Sequence, residues 1–240
     1  MRLIVITTET FFEGEAQAVN LLFEHGLETL HLRKPFASQN ETLDFIRMIH
    51  KDYFARIVLH DHYNLVKLMD LKGFHLNRRN PEIKADYKSD DNLNVRDEDK
   101  NMFLGKQRFT LSRSCHSFEE MITSSDCDYV FLSPVFDSIS KIGYKQGFTH
   151  EQLNDAKKNK LINERVIALG GLIVQNIPVA HRYGFGGVAV LGSLWSDFAA
   201  HRKEFELLNR FNELKMACSK CKLMNCFSEL KMASAANVKS

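Results

Sequence analysis

The sequence predicts an eight-stranded parallel α/β barrel. Three observations carry that prediction: eight short runs rich in valine, isoleucine and leucine, room for an amphipathic helix between most of them, and two glycine-terminated runs close together near the end. The last two runs are Arg165-Val-Ile-Ala-Leu, followed by Gly170-Gly171, and Gly187-Val-Ala-Val-Leu-Gly-Ser. Paired glycine turns after the final strands are the arrangement by which such barrels hold phosphate.

The elements follow in order. Strand 1 is Leu3 to Thr7, and Glu15 to His25 after it carries apolar residues at helical spacing. Strand 2, Thr29 to Leu32, precedes a helix over Gln39 to Tyr53. Strands 3 and 4 are Arg56 to His60 and Gly73 to Leu76, and the polar stretch Asn80 to Lys100 then lacks a helical period. Strand 5, Phe109 to Ser112, leads into a helix over Phe118 to Ser124; strand 6, Tyr129 to Ser133, precedes one over His150 to Asn159. Strand 7, Val166 to Leu169, a short helix Ile177 to Tyr183 and strand 8, Val188 to Leu191, complete a TIM (β/α)8 barrel. An open doubly wound sheet fits less well, because no GxGxxG loop follows strand 1.

With 240 residues and 44% hydrophobic content, the chain has the length of one such barrel and can bury a core without disulfides or metal. We place the barrel at 1–212 and a short C-terminal extension, helix or disordered tail, at 213–240, where Glu213-Leu-Lys-Met-Ala recurs as Glu229-Leu-Lys-Met-Ala. A net charge of +2, from near-equal acidic and basic counts, gives no field that would demand nucleic acid. No apolar span reaches the ~20 residues of a membrane helix, and the first run is too short for a signal peptide, so a cytoplasmic chain with no membrane partner is expected. The odd count of 5 cysteines suggests reduced thiols, and Cys218, Cys221 and Cys226 lack the fourth ligand of a structural zinc site.

Chemistry in a barrel collects at the C-terminal ends of the strands. After strand 5 stands Ser114-Cys-His116, and Ser117 with Glu120 forms a capping box that opens the next helix. An imidazole on that loop, with an ordinary pKa of about 6.5, can pass protons at neutral pH. The loop after strand 6 offers Ser138, Ser140, Lys141 and two glycines, suited to an anionic ligand and a moving lid. Gly170, Gly171 and Gly192 let backbone N–H groups approach a phosphate. Strand 2 ends in His31-Leu-Arg33, and alternation sends His31 and Arg33 to one side. His60, Asp61 and His62 are adjacent and cannot all converge on one ion, so they read as a polar lining.

These residues resemble the thiamine-phosphate synthase and TenI (thiazole tautomerase) family of TIM barrels. The resemblance rests on Gly73-Phe-His-Leu, Ser114-Cys-His116, Asp128-Tyr129 with Pro134-Val-Phe, Lys141, and Ala168-Leu-Gly-Gly-Leu172 in order, and it spans all but the tail. It implies a phosphorylated thiazole as the small-molecule ligand, with Ser138, Ser140 and Lys141 closing over it and Gly170, Gly171, Leu191, Gly192 and Ser193 holding the phosphate. The synthase branch couples a pyrimidine diphosphate to thiazole phosphate with magnesium. Its Gln-x-Arg-x-Lys becomes His31-Leu-Arg33-Lys34-Pro35 here, its Asn-Asp becomes His60-Asp61, and its next aspartate falls on Asn80. The tautomerase branch is similar in His-x-Arg and in Arg-Ser-x-His-Ser-x-Glu-Glu.

The expected function is therefore a thiazole tautomerase in thiamine biosynthesis, with His116 as general acid/base and no cofactor. Ser114, His31 and Arg33 are expected at the substrate, Arg33 on its carboxylate. The alternatives are a thiamine-phosphate synthase with Asp61 as a magnesium ligand, and a non-catalytic barrel that binds thiazole or thiamine phosphates. A homo-oligomer is compatible with all three.

Overall fold

Strands that are apolar on both faces need cover on both sides, and a closed sheet ringed by helices supplies it. The computed structural model describes residues 1–83, 109–137 and 146–237. Its strands are β1 (Arg2–Ile6), β2 (Leu30–Leu32), β3 (Ile57–Leu59), β4 (Gly73–Leu76), β5 (Thr110–Cys115), β6 (Tyr129–Leu132), β7 (Val166–Leu169) and β8 (Gly187–Val190). Each pairs in parallel with the next, and β8 closes on β1 through Leu3 opposite Val188 and Val5 opposite Val190. The expected TIM barrel is the observed fold.

The outer layer contains α1 (Glu15–Glu24), α2 (Gln39–Arg47), a 3-10 turn (Lys51–Arg56), α3 (Asn64–Leu68), α4 (Phe118–Ile122), α5 (His150–Lys158), α6 (Ile177–Arg182), α7 (Gly192–His201) and α8 (Glu204–Asn237). The helix expected over Gln39 to Tyr53 is broken. Met48 and Ile49 donate to the carbonyls of Phe45 and Ile46, which tightens the last turn, and the extended His50 gives its N–H to Asn20 Oδ1 at 2.8 Å. Strand 5 runs to Cys115, three residues past its expected end. Helices α3 and α7 were not foreseen, and the expectation for Asn80 to Lys100 falls mostly outside the described residues.

Helix α8 crosses residue 212 and takes a place in the ring. Leu207, Phe211, Leu214, Cys218 and Cys221, spaced by four and three, are buried on its inner face. Lys215 Nζ reaches the carbonyl of His25 at 2.8 Å, and the N-terminal ammonium donates to the carbonyl of Cys218 at 3.1 Å. Burial pushes the Cys218 thiol up to about 12, so it sits in the core as a small apolar group.

The barrel interior is divided. Ile4, Ile6, Tyr129, Phe131, Ile167 and Ala189, from β1, β6, β7 and β8, form one apolar cluster. His31, His60, His75 and Ser112, from the β2 to β5 side, are equally buried. Below the rim, Lys34 and Glu15 form an ion pair that is 1% and 0% exposed, with Nζ 2.7 Å from both carboxylate oxygens. Phe11 and Phe45 present their rings to the same ammonium at 4.6 and 5.6 Å. The pair ties the β1–α1 loop to the end of β2.

Two stability predictions follow from this packing. Truncating Phe211 to alanine should lower unfolding free energy by about 3–5 kcal/mol in urea melts. Lys34→Met should lower it by about 3–5 kcal/mol by leaving a buried carboxylate alone, while Lys34→Met with Glu15→Leu should recover most of that loss.

Candidate functional site

Among the described residues, several loops at the mouth, where the strands reach their C-terminal ends, are fixed by their own hydrogen bonds. His116 follows β5 directly. Its N–H donates to Glu120 Oε2 at 2.6 Å, and Ser117 caps α4 by accepting from Glu120 N at 3.2 Å. His116 Nδ1 lies 3.0 Å from the carbonyl oxygen of Ser133, beyond β6. A carbonyl can only accept, so in the neutral ring Nδ1 carries the proton and Nε2 presents a lone pair. An exposed imidazole held this way can take and return a proton at Nε2.

Across the mouth, Gly170 and Gly171 adopt left-handed φ angles of 97° and 64°. A side chain at Gly170 would sit 2.9 Å from Pro134 Cα, and one at Gly171 would sit 2.2 Å from the Asp137 carbonyl oxygen. The turn therefore lies hard against the loop after β6, to which it is bonded through Phe136 N and the Gly170 carbonyl at 3.2 Å. Asn176 Nδ2 fixes the Gly171 carbonyl at 2.7 Å. Next to it, α7 starts at Gly192 with Leu191 as its cap residue and no capping side chain. The first N–H groups of a helix have no intrahelical partner and attract anions. Ser193 Oγ is buried there without a hydrogen-bond partner. Leu169 stands opposite Ala189 in the β7–β8 register, so Leu191, Gly192 and Ser193 follow β8 at the same end of the barrel as the glycine turn, whereas Ser138, Ser140 and Lys141 lie outside the described residues.

The expected substrate contacts on β2 and β5 look different in the structure. His31 is fully buried inside the barrel, with Nδ1 2.9 Å from His60 Nε2 and Nε2 2.7 Å from the Tyr129 hydroxyl. Both ring nitrogens are engaged, so His31 offers no free atom to a ligand at the rim. Ser114 Oγ is turned to His75 Nε2 at 2.7 Å. Arg33 does stand at the rim, paired with Glu9 at 2.9 Å. Burial, first of all, lowers His31 and His60 well below the usual histidine range and brings His75 to about 3, so all three are neutral.

His60, Asp61 and His62 do not converge, but not through strand alternation: β3 ends at Leu59, and the three follow it in a bend where His62 takes a φ of 54°. His62 turns away to the Ala37 carbonyl at 2.8 Å, and Asp61 binds Arg79, whose Nη2 lies 3.1 Å from both carboxylate oxygens. Asn80 Nδ2 adds a third donor to Asp61 Oδ1 at 2.9 Å. A magnesium ion needs free carboxylate oxygens. Asp61 is already matched by a guanidinium, and Asn80 approaches it as a donor, so these residues do not fit the ion. What sequence reasoning missed is the convergence of His60 with His31 and His75, and the role of Arg79. Both depend on alignment between separate strands and loops.

A family model described as thiamine monophosphate synthase (TMP-TENI) matches residues 3–194. The thiamine-phosphate synthase of Limosilactobacillus reuteri is 25% identical over 185 residues, covering 73% of this chain and 78% of that protein. That of Bacteroides fragilis is 23% identical over 201 residues, covering 79% and 89%. Among solved structures, a thiamine phosphate pyrophosphorylase from Bacteroides thetaiotaomicron is 35% identical, with a TM-score of 0.75 and coverage of 91% of this chain and 98% of that one. A thiamine phosphate pyrophosphorylase from Pyrococcus furiosus, 18% identical with a TM-score of 0.64 and coverage of 92% and 96%, shares the fold. No helix among the described residues is long and apolar enough to cross a membrane.

The glycine turn gives a direct test of this face. Gly170→Ala places a methyl group against Pro134 at a positive φ, and should destabilise the protein by about 1–3 kcal/mol in urea melts. It should also weaken inorganic phosphate binding measured by calorimetry.

Proposed function

The chain belongs to the thiamine monophosphate synthase/TenI family of thiamine biosynthesis, and within it we propose a thiazole tautomerase that works by proton transfer at His116. The observation that carries this reading is the Nδ1–H to Ser133 carbonyl bond, which leaves Nε2 as the basic atom at the mouth. Nε2 removes a proton from the ring carbon of the non-aromatic thiazole tautomer. The released C–H electron pair moves into the ring, and the imidazolium returns a proton at the position that completes the aromatic system. No net proton is consumed. The phosphate rests on the N–H groups of Gly170, Gly171, Gly192 and Ser193, where a helix start and a glycine turn meet. Arg33 exchanges Glu9 for the substrate carboxylate. General acid/base chemistry of this kind typically contributes 10² to 10⁴-fold.

A second reading has specific support. By name, the relatives favour thiamine-phosphate synthase, the coupling of a pyrimidine diphosphate to thiazole phosphate, over tautomerisation. The pairing of Asp61 with Arg79 and Asn80 weighs against the magnesium on which that branch relies.

Proton NMR of the purified protein with the carboxylated thiazole phosphate tautomer should show aromatisation, reduced about 10² to 10⁴-fold in His116→Asn. A parallel mixture of pyrimidine diphosphate, thiazole phosphate and magnesium should stay silent. Thiamine phosphate in that mixture would assign the coupling reaction, and silence in both would assign a binding role.

A further inference from the structure

Three imidazoles from three successive strands meet inside the barrel, and nothing in the proton chemistry at the mouth uses them. We propose that His31, His60 and His75 bind one divalent transition-metal cation of the zinc type. One ligand nitrogen from each lies within 4.8 Å of the others, and His31 Nδ1 and His60 Nε2 are 2.9 Å apart. Tetrahedral zinc, with Zn–N bonds of about 2.0–2.1 Å, sets its nitrogens roughly 3.3 Å apart. The widest pair therefore has to close by on the order of 1 Å, a ring adjustment and not a refolding.

For His31 and His75 the surrounding groups supply what a metal-bound histidine requires, a partner for its other ring nitrogen. His31 Nε2 is held by the Tyr129 hydroxyl at 2.7 Å, which frees Nδ1 for the ion. His75 Nδ1 lies 2.9 Å from Ser112 Oγ, whose own proton goes to the Phe74 carbonyl at 3.2 Å. Ser112 therefore accepts, His75 carries its proton on Nδ1, and Nε2 keeps the lone pair. That lone pair now receives the Ser114 hydroxyl; on loading, the ion replaces it and Ser114 is available for the fourth position. His60 moves its proton from Nε2 to Nδ1, so both forms of the site contain three neutral rings. Burial already keeps them neutral, the state that ligates.

Donor chemistry selects the ion. Three imidazoles suit zinc, cobalt, nickel or copper, whereas magnesium and calcium take oxygen. The entry side is the mouth, because His60 is 4% exposed while His31 and His75 are 0%.

The test is independent of the reaction catalysed. Tag-free, chelator-treated protein is titrated with Co2+, followed by its visible ligand-field band and by calorimetry, with zinc as competitor. One Co2+ per chain is expected. Binding should be lost in His60→Gln and weakened about 10- to 100-fold in Tyr129→Phe, which keeps the ring and removes only the hydroxyl on His31. Zinc at a hundredfold excess over Kd should raise the wild-type Tm by about 5 °C or more, a readout that needs no variant to fold. X-ray absorption should show nitrogen ligands. Failure to take up one ion, sulfur ligands from the cysteines, or affinity unchanged in both variants would overturn the proposal.

Discussion

Closure of the sheet between β8 and β1 is the constraint from which the geometry of the mouth derives. An open parallel sheet would leave β1 and β8 as edges with unpaired N–H and C=O groups. Pairing of Arg2 through Val5 with Gly187 through Val190 removes both edges and brings the β8–α7 turn beside the β1–α1 loop. Trp195 on α7 then reaches across, giving its indole N–H to the Ile6 carbonyl at 2.8 Å. The start of α7 is thereby held against the end of β1. Helix α8 covers the same seam from outside, with Phe211 and Leu214 buried in the outer core.

Closure also buries the interior side chains, where every polar group needs a partner. The chain meets this demand unevenly around the ring. On one side the interior is hydrocarbon and aromatic; on the other it is a hydrogen-bonded group of three histidines, two serines and a tyrosine. Phe131 joins the two, its ring centroid 4.7 Å from that of His31 and 4.8 Å from that of His75. Such a group has few alternative arrangements, since turning one ring leaves a donor or acceptor bare in the interior. His116, on a loop above this group, has its orientation set by the Ser133 carbonyl.

The strands and their order were legible because a doubly covered parallel strand is a short apolar run, a signal that depends on local sequence alone. The loop position of His116 was legible for a similar reason, since the Ser117 and Glu120 cap marks the helix start. Convergence of His31, His60 and His75 was not, because it requires the register of β2, β3 and β4, which one sequence does not state. Alternation did not apply to His60, Asp61 and His62, which follow the end of β3 in a bend, and it is silent about what a side chain meets across strands. Arg33 and His31 were expected as a pair at the ligand; the strand ends at Leu32, leaving His31 enclosed and Arg33 at the rim. The Lys34–Glu15 and Arg79–Asp61 pairs are not legible in the sequence because each joins residues that follow or begin different elements, Glu15 at the start of α1 and the others beyond strand ends.

Charge distribution around the mouth separates the substrates it can accept. On the glycine-turn side, the proposed phosphate donors are backbone N–H groups at a helix start, which hold an anion without a charged side chain. On the β2 to β4 side, Arg33 and Arg79 are already matched by Glu9 and Asp61. A diphosphate brings more charge and has to displace those acids, each then left near the incoming anion. A single carboxylate needs only one such exchange, and Arg33 with Glu9 is the more exposed pair at 26% and 39%, where the interaction being replaced is weak. The Asp61 pairing, with its carboxylate only 14% exposed and a third donor from Asn80, is the harder to open. Under the proposed tautomerase reading, a ligand with one phosphate and one carboxylate therefore opens one exposed ion pair, whereas a diphosphate on the β2 to β4 side has to open the more buried Asp61 pair as well.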